Sequence, residues 1–290
     1  MTALGYYPGC SLSGAAREYD LSLRAVAARL ETELREIPDW VCCGATSAHA
    51  IDHNAAFCLA ADALLKAHRA GLQQVLAPCA MCFSRLATAT QELRRNSSLA
   101  RQVALSLGGE APRLAQVQAI NLLTWLEGFP AGVLEKHVVR PLKGLKVACY
   151  YGCLLLRPPR VTGAVQVEAP RKMEAIVARL GAQAVRWSMA TECCGAGFSL
   201  TDKTVVLRQG RRIYGAARAA GADLMVLACP MCHSNLDMRQ SEFAAGEAPL
   251  PVLYLTQLIG LAWGLSREEL GLRGHFVPVE PEFSAALARG

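Results

Sequence analysis

Lysine is scarce in this 290-residue chain, with 6 against 24 arginines. No basic run exceeds two residues, so the net charge of +6 is spread thinly and gives a nucleic acid no patch to bind. A mild preference for anionic ligands is all that it implies, and an arginine excess of this kind fits a GC-rich genome. The start, MTALGYYPGC, lacks a basic segment followed by an apolar one, so no export signal is read and a cytoplasmic location is expected. Long apolar runs are missing too. The nearest, APLPVLYLTQLIGLAWGLS from Ala248 to Ser266, approaches the roughly 20 residues that a bilayer span needs. Pro249 and Pro251 break its start, and Thr256 and Gln257 interrupt its middle. A helix buried in the protein or docked on a partner is expected there, and no membrane span.

Cysteine is what the chain has in quantity, with 12 residues. In a chain that is not exported they do not read as a disulfide framework, because the cytosol keeps thiols reduced. Metal binding or redox chemistry is the remaining expectation. Two pairs are adjacent in sequence, in WVCCGATS and TECCGAGF. A disulfide within either pair would close a small strained ring, so another use for both is required.

The two halves repeat one another. YYPGC (Tyr6–Cys10) matches YYGC (Tyr150–Cys153), CCGA recurs at Cys42–Ala45 and Cys193–Ala196, and LAPCAMCFSRL (Leu76–Leu86) matches LACPMCHSNL (Leu227–Leu236). LLTWLEG (Leu122–Gly128) pairs loosely with YLTQLIG (Tyr254–Gly260). Four blocks in one order mean two copies of a domain rather than a solenoid, whose periods are shorter. The offset falls by 18 before the fourth block, which puts an insertion in the first copy around RRNSSLARQVALSLGGEAP. Domains at residues 1–141 and 142–290 are expected, joined near Pro141.

Each copy alternates strand and helix. Val75–Ala77 and Leu224–Ala228 are short apolar runs ending almost at a cysteine, as buried parallel strands would. NAAFCLAADALLKAHRAG and VVLRQGRRIYGAARAAG read as helices stopped by Gly71 and Gly221. The predicted fold class is α/β: two tandem pseudo-symmetric domains, each a small, mostly parallel sheet with flanking helices. The cysteines then fall at the carboxyl ends of strands, where open parallel sheets bind ligands.

Sorted by copy, the sets are Cys10, Cys42, Cys43, Cys79, Cys82 and Cys153, Cys193, Cys194, Cys229, Cys232. A CxxC at a strand-to-helix turn brings two sulfurs to one centre, and the helix N-terminus stabilises thiolate. Pro230 suits the first helical position. The glycine after each CC pair lets backbone approach a bulky inorganic ligand. Structural zinc and a cubane cluster both take four ligands, so five per copy is one too many for either. Either one cysteine is idle in both copies or the centre is larger and less regular. Iron–sulfur, zinc and free redox thiols all remain open on the residues alone. Cys229–His233, CPMCH, also fits the c-type haem pattern, but the sister motif CAMCF has no His. A thioredoxin-like site would leave the CC pairs unexplained.

The ordered set YYPGC…CCGA…PCAMC, then YYGCLLLRP…ECCGAG…CPMCHSNLD, resembles the B subunit of heterodisulfide reductase, within the wider group with duplicated CCG domains. The resemblance covers nearly the whole chain. It implies two noncubane [4Fe–4S] clusters, each held by one five-cysteine set and facing a cavity where a disulfide is split. One departure is a spacing of 34 residues between Cys194 and Cys229 against 35 between Cys43 and Cys79, which removes no ligand. Zinc is kept as a substitute at the first site, which has CAMC in place of CPMC. The implied partners are a ferredoxin-like C subunit and a flavin-bearing A subunit, since the chain has no glycine-rich dinucleotide fingerprint. The implied substrate is a disulfide or, in the setting of sulfur-oxidising bacteria, a sulfur group on a lipoyl carrier. A relay or attachment subunit of a membrane dehydrogenase and a zinc-stabilised interaction module are the alternatives.

Other residues have plainer readings. Cys58 and Cys149 fit as small buried apolar residues. His49, His53 and His233 lie near the motifs, and His233 is the expected proton donor. Arg157 either binds an anionic substrate group or caps local structure.

Overall fold

The computed structural model describes residues 2–45, 47–95, 97–107 and 116–288. Two four-stranded parallel sheets carry the architecture. The first holds β1 (Thr2–Tyr6), β2 (Thr32–Glu36), β3 (Gln74–Leu76) and β4 (Gln118–Ile120) in the order β2-β1-β3-β4. The second holds β5 (Lys146–Cys149), β6 (Gln183–Ala184), β7 (Leu224–Leu227) and β8 (Val252–Tyr254) in the order β6-β5-β7-β8. Registers correspond: Tyr6 pairs with Leu76 in the first sheet and Cys149 with Val226 in the second. Every strand pair is parallel, so helices must cross over the faces, which is why β7 (LMVL) is buried throughout.

The crossover helices start and stop as local chemistry dictates. Asp52 accepts N–H bonds from Asn54 and Ala55 at the head of helix His53–Arg69, and Asp202 does the same for Thr204 and Val205 ahead of helix Lys203–Ala219. Both helices end in a glycine at positive φ, Gly71 (+73°) and Gly221 (+74°), where a side chain would be strained. After the CxxC motifs the copies diverge. The first continues as a regular helix, Ala80–Arg94. The second is helical over Pro230–His233, widens into a π turn over Ser234–Met238, and resumes at Gln240–Phe243. The predicted insertion is a first-copy helix, Ser98–Ser106, in its described part; residues 96 and 108–112 of it lie outside the described residues.

The halves share one core. Tyr19 and Tyr254 stack with ring centroids 4.1 Å apart, and Ser22 and Thr256 hydroxyls meet at 2.7 Å. The uncharged stretch predicted as a buried helix is β8 followed by helix Leu255–Ala262, every residue of which is buried. Among the described residues no helix is long and apolar enough to cross a membrane.

Candidate metal centres

In both sheets the strand order reverses between the first and third strands of the copy. The carboxyl ends of those strands bound a crevice, the usual ligand site of an open parallel sheet. Cys10 and Cys79 follow β1 and β3, and Cys153 and Cys229 follow β5 and β7. The CC pairs come in from the loops after the β2 and β6 edge strands. The structure thus gathers four sulfurs of each copy in pairs. Cys10–Cys42 are 3.8 Å apart and Cys43–Cys82 3.3 Å; the counterparts Cys153–Cys193 and Cys194–Cys232 are 4.0 and 3.3 Å apart. The fifth thiols, Cys79 and Cys229, interact with their own CxxC partners and with one another, so the two sets meet across the halves.

Charge at the sulfurs follows from these contacts. Hydrogen bonds from Cys42 and then Cys82 hold Cys43 down at about 4, with the Ala45 N–H and the Arg85 guanidinium adding to them. Cys193 is lowered to about 6 by Cys153 and by the Gly195 and Ala196 N–H groups, Gly195 donating at 3.3 Å. Cys229 is held well down by Cys232, by Cys79 and by the N–H groups of the helix it caps. Thiolate is the form that binds metal. The sets open outward at Cys10, Cys42 and Cys193, which are exposed, while Cys43, Cys79, Cys82, Cys194, Cys229 and Cys232 are buried.

Two features show a cradle shaped around the sulfurs. At Gly9 a Cβ would stand 3.0 Å from the Cys82 sulfur, and at Gly152 one would stand 3.2 Å from that of Cys232. The second feature is a tyrosine clamp. Tyr7 donates its hydroxyl to the Val41 carbonyl at 2.5 Å and Tyr150 to that of Glu192 at 2.7 Å, each just ahead of a CC pair. Five converging thiols, thiolate-stabilising N–H groups and side-chain-free walls fit an iron–sulfur group. Sequence reasoning passed over the tyrosines, although their recurrence ahead of each GC was a usable signal.

The copies differ beside the sulfurs. Asn235, three residues after Cys232, donates to the Cys194 carbonyl at 3.2 Å and lies 3.7 Å from its sulfur. The first copy has Arg85 at that position, half-buried near Cys43 and 2.9 Å from His49 Nδ1. His49 and His53 pack edge to face with centroids 4.3 Å apart.

Other expected residues find different employment. His233 is not placed as a proton donor. Its ring stacks on Tyr254 and its Nε2 faces the Val252 carbonyl at 3.0 Å, while burial and His275 push its pKa down to about 3. The ring is therefore neutral near pH 7 and has no imidazolium proton to give. Arg157 binds the Thr191 carbonyl at 2.9 Å and Glu168 at 2.8 Å, capping the loop before Cys193. Cys149 is fully buried at the end of β5, and Cys58 packs half-buried on helix His53–Arg69.

A sequence model for the cysteine-rich domain family called CCG matches residues 4–87 and again residues 147–237. The chain belongs to the CCG cysteine-rich domain family. Each matched CCG stretch begins inside the first strand of a sheet and ends beyond the CxxC motif. The CCG chain is 34% identical over 275 residues to the 8-methylmenaquinol:fumarate reductase membrane anchor subunit of Wolinella succinogenes, covering 94% of this chain and 96% of that one. It is 29% identical over 281 residues to the B subunit of the ferredoxin/F420H2-dependent CoB-CoM heterodisulfide reductase of Methanosarcina acetivorans, covering 94% and 93%. The CCG fold also matches a crystal structure of a hypothetical protein from Helicobacter pylori. There the TM-score is 0.73 at 13% identity, over 96% of this chain and about half (52%) of that one.

Proposed function

We propose that the chain is the disulfide-handling iron–sulfur subunit of a heterodisulfide reductase-like complex in the cytoplasm. It would be built as domains 1–141 and 142–290, each holding a noncubane [4Fe–4S] cluster. The ligands would be Cys10, Cys42, Cys43, Cys79 and Cys82 in one and Cys153, Cys193, Cys194, Cys229 and Cys232 in the other. One observation carries this reading: two equivalent five-thiol sets stand at the crevices of two equivalent sheets and meet through Cys79 and Cys229. Splitting RS–SR′ to two thiols consumes two electrons and two protons, and an iron–sulfur centre normally passes electrons singly. Two adjacent centres match that count, one sulfur of the substrate to each.

The protein's own groups favour thiolate at Cys43, Cys193 and Cys229, while neighbouring sulfurs and burial raise Cys42, Cys79, Cys82, Cys153 and Cys232. They also keep the walls free of side chains and aim the CC loops through Tyr7 and Tyr150. The His233 ring lies on Tyr254 with its Nε2 facing the Val252 carbonyl, so the protons would come from solvent or substrate. Exposed Ile51, Phe198 and Leu200 beside the two CC loops suit contact with the ferredoxin-like and flavin-bearing subunits that would exchange electrons with this one.

The likeness to a named membrane anchor subunit favours a second reading, an electron relay that attaches a dehydrogenase to a membrane. Anaerobic purification followed by spin-resonance spectroscopy separates the two. Two clusters would give about eight iron atoms per chain. Adding a heterodisulfide or lipoamide disulfide to the reduced protein should then generate a new paramagnetic signal. Full iron with no response to any disulfide selects the relay, and zinc in place of iron defeats both.

Arg85 should make the two centres unequal. A guanidinium favours the more negative, reduced state, so the first centre should have the higher potential. Arg85→Gln is expected to lower that potential and leave the second unchanged in a spin-monitored redox titration. Equal shifts at both centres, or none, would remove this assignment.

A further inference from the structure

We propose that His233, Asp237 and His275 form a divalent transition-metal site of the zinc class, separate from the cysteine sets. One donor atom from each residue lies within 4.8 Å of the other two, among buried side chains. His233 Nε2 and His275 Nδ1 are 3.2 Å apart. Two nitrogens on one tetrahedral ion at about 2.0–2.1 Å each are separated by roughly 3.3 Å. Asp237 Oδ1 lies 3.9 Å from His275 Nδ1, so inward shifts of under about 1 Å put all three donors at bonding distance. The Val252 carbonyl, 3.0 Å from His233 Nε2 on the edge strand β8, faces the same point as a fourth donor.

Surrounding groups hold these donors as the outer shell of a metal site would. Phe276 and Val277 N–H groups donate to the two Asp237 oxygens at 2.8 and 3.2 Å. Gln257 is fixed by donating to the Leu270 carbonyl at 3.0 Å and accepting from the Tyr254 N–H at 2.9 Å. Its Oε1 lies 3.1 Å from His275 Nε2 and its Nε2 2.8 Å from the same atom. The Gln257 amide thus anchors His275 through Nε2 and leaves Nδ1 turned toward His233 and Asp237.

Charge points the same way. Asp237 and Glu18 both line a cavity of about 190 Å³ that His233, Tyr254 and Phe276 also border. Among the described residues neither acid pairs with a lysine or arginine; Glu18 accepts from the Tyr254 hydroxyl at 3.4 Å and from its own backbone N–H. Two acids on one small cavity supply oxygen donors for a cation, and the cavity gives it a path in. The repeat supplies an independent contrast. At the positions of His233 and Asp237 the first copy has Phe83 and Ala87, so ligand-type side chains occupy one copy only. Nitrogen and oxygen donors set this site apart from the thiolate centres.

The test adds cobalt(II) to the anaerobically purified full chain with its iron in place, followed by desalting. One retained cobalt per chain is expected, with weak visible bands and no sulfur-to-cobalt charge transfer. His275→Gln and Asp237→Asn should each lower cobalt affinity at least tenfold while iron per chain stays constant. No retained cobalt, a thiolate charge-transfer band, or unchanged retention in both variants would overturn the site. If one variant does not fold, the other and the spectrum of the unsubstituted chain still decide. Iron measured in the same samples reports separately on the cysteine sets.

Discussion

Replacing Cys194 with serine is expected to halve the iron, from about eight atoms per chain to about four, and to lower disulfide turnover by at least about 100-fold. Cys194 is 1% exposed, 3.3 Å from the Cys232 sulfur and held by Asn235 on its other side. Serine preserves the volume, the backbone and the Asn235 contact. It loses a soft, ionisable donor, because an alcohol does not ionise near neutral pH and binds iron poorly beside thiolates. The fold should survive, since Cys194 contributes one small side chain to a core that both halves share. Cys43→Ser should remove the other four atoms, and Cys58→Ser should remove none. Total iron, labile sulfide and visible absorption on the same preparations check all three. Unchanged iron in Cys194→Ser would mean that the second centre does not use this sulfur.

Gly9→Ala and Gly152→Ala are expected to combine a backbone penalty with loss of the neighbouring centre. Both residues sit at φ +62°. An L side chain there costs about 1–2 kcal/mol. The added methyl would also stand 3.0 Å from the Cys82 sulfur in one case and 3.2 Å from Cys232 in the other, with the Tyr7 or Tyr150 ring behind it. Gly71→Ala and Gly221→Ala separate the two effects. Those glycines share the positive φ, at +73° and +74°, but a Cβ on either meets nothing within 4 Å. Gly71→Ala and Gly221→Ala should lose the backbone share alone in denaturant titrations and keep their iron, while Gly9→Ala and Gly152→Ala should lose more stability and lose iron as well. Equal iron across the four would show that the walls around the sulfurs have room to spare.

The repeat was legible because its markers act locally. A cysteine at the end of an apolar run, an Asp capping a helix and a glycine ending one each specify backbone within a few residues. The parallel α/β form followed from the alternation of those elements. The stretch from Ala248 to Ser266 was rightly read as internal, since Pro251 precedes an edge strand and Thr256 and Gln257 find buried partners. His233 misled. Its place next to Cys232 suggested proton chemistry, yet one residue along a helix turns a side chain through about 100°, here away from the sulfurs and onto Tyr254. The hydroxyl clamps of Tyr7 and Tyr150 were hidden for another reason: each spans more than thirty residues, a separation that no sequence window covers.

By itself the sequence determined a duplicated α/β chain, its ten cysteines in two equivalent sets, and their position at strand ends, because spacing and periodicity are properties of neighbouring residues. Only the tertiary structure decided that Cys79 meets Cys229, that Arg85 comes near Cys43 while Asn235 holds Cys194, and that His275 joins His233 and Asp237. Those juxtapositions come from packing one half on the other and the C-terminal segment onto both. They are fixed by the shape of a shared core, and the order of residues along the chain carries no local sign of them.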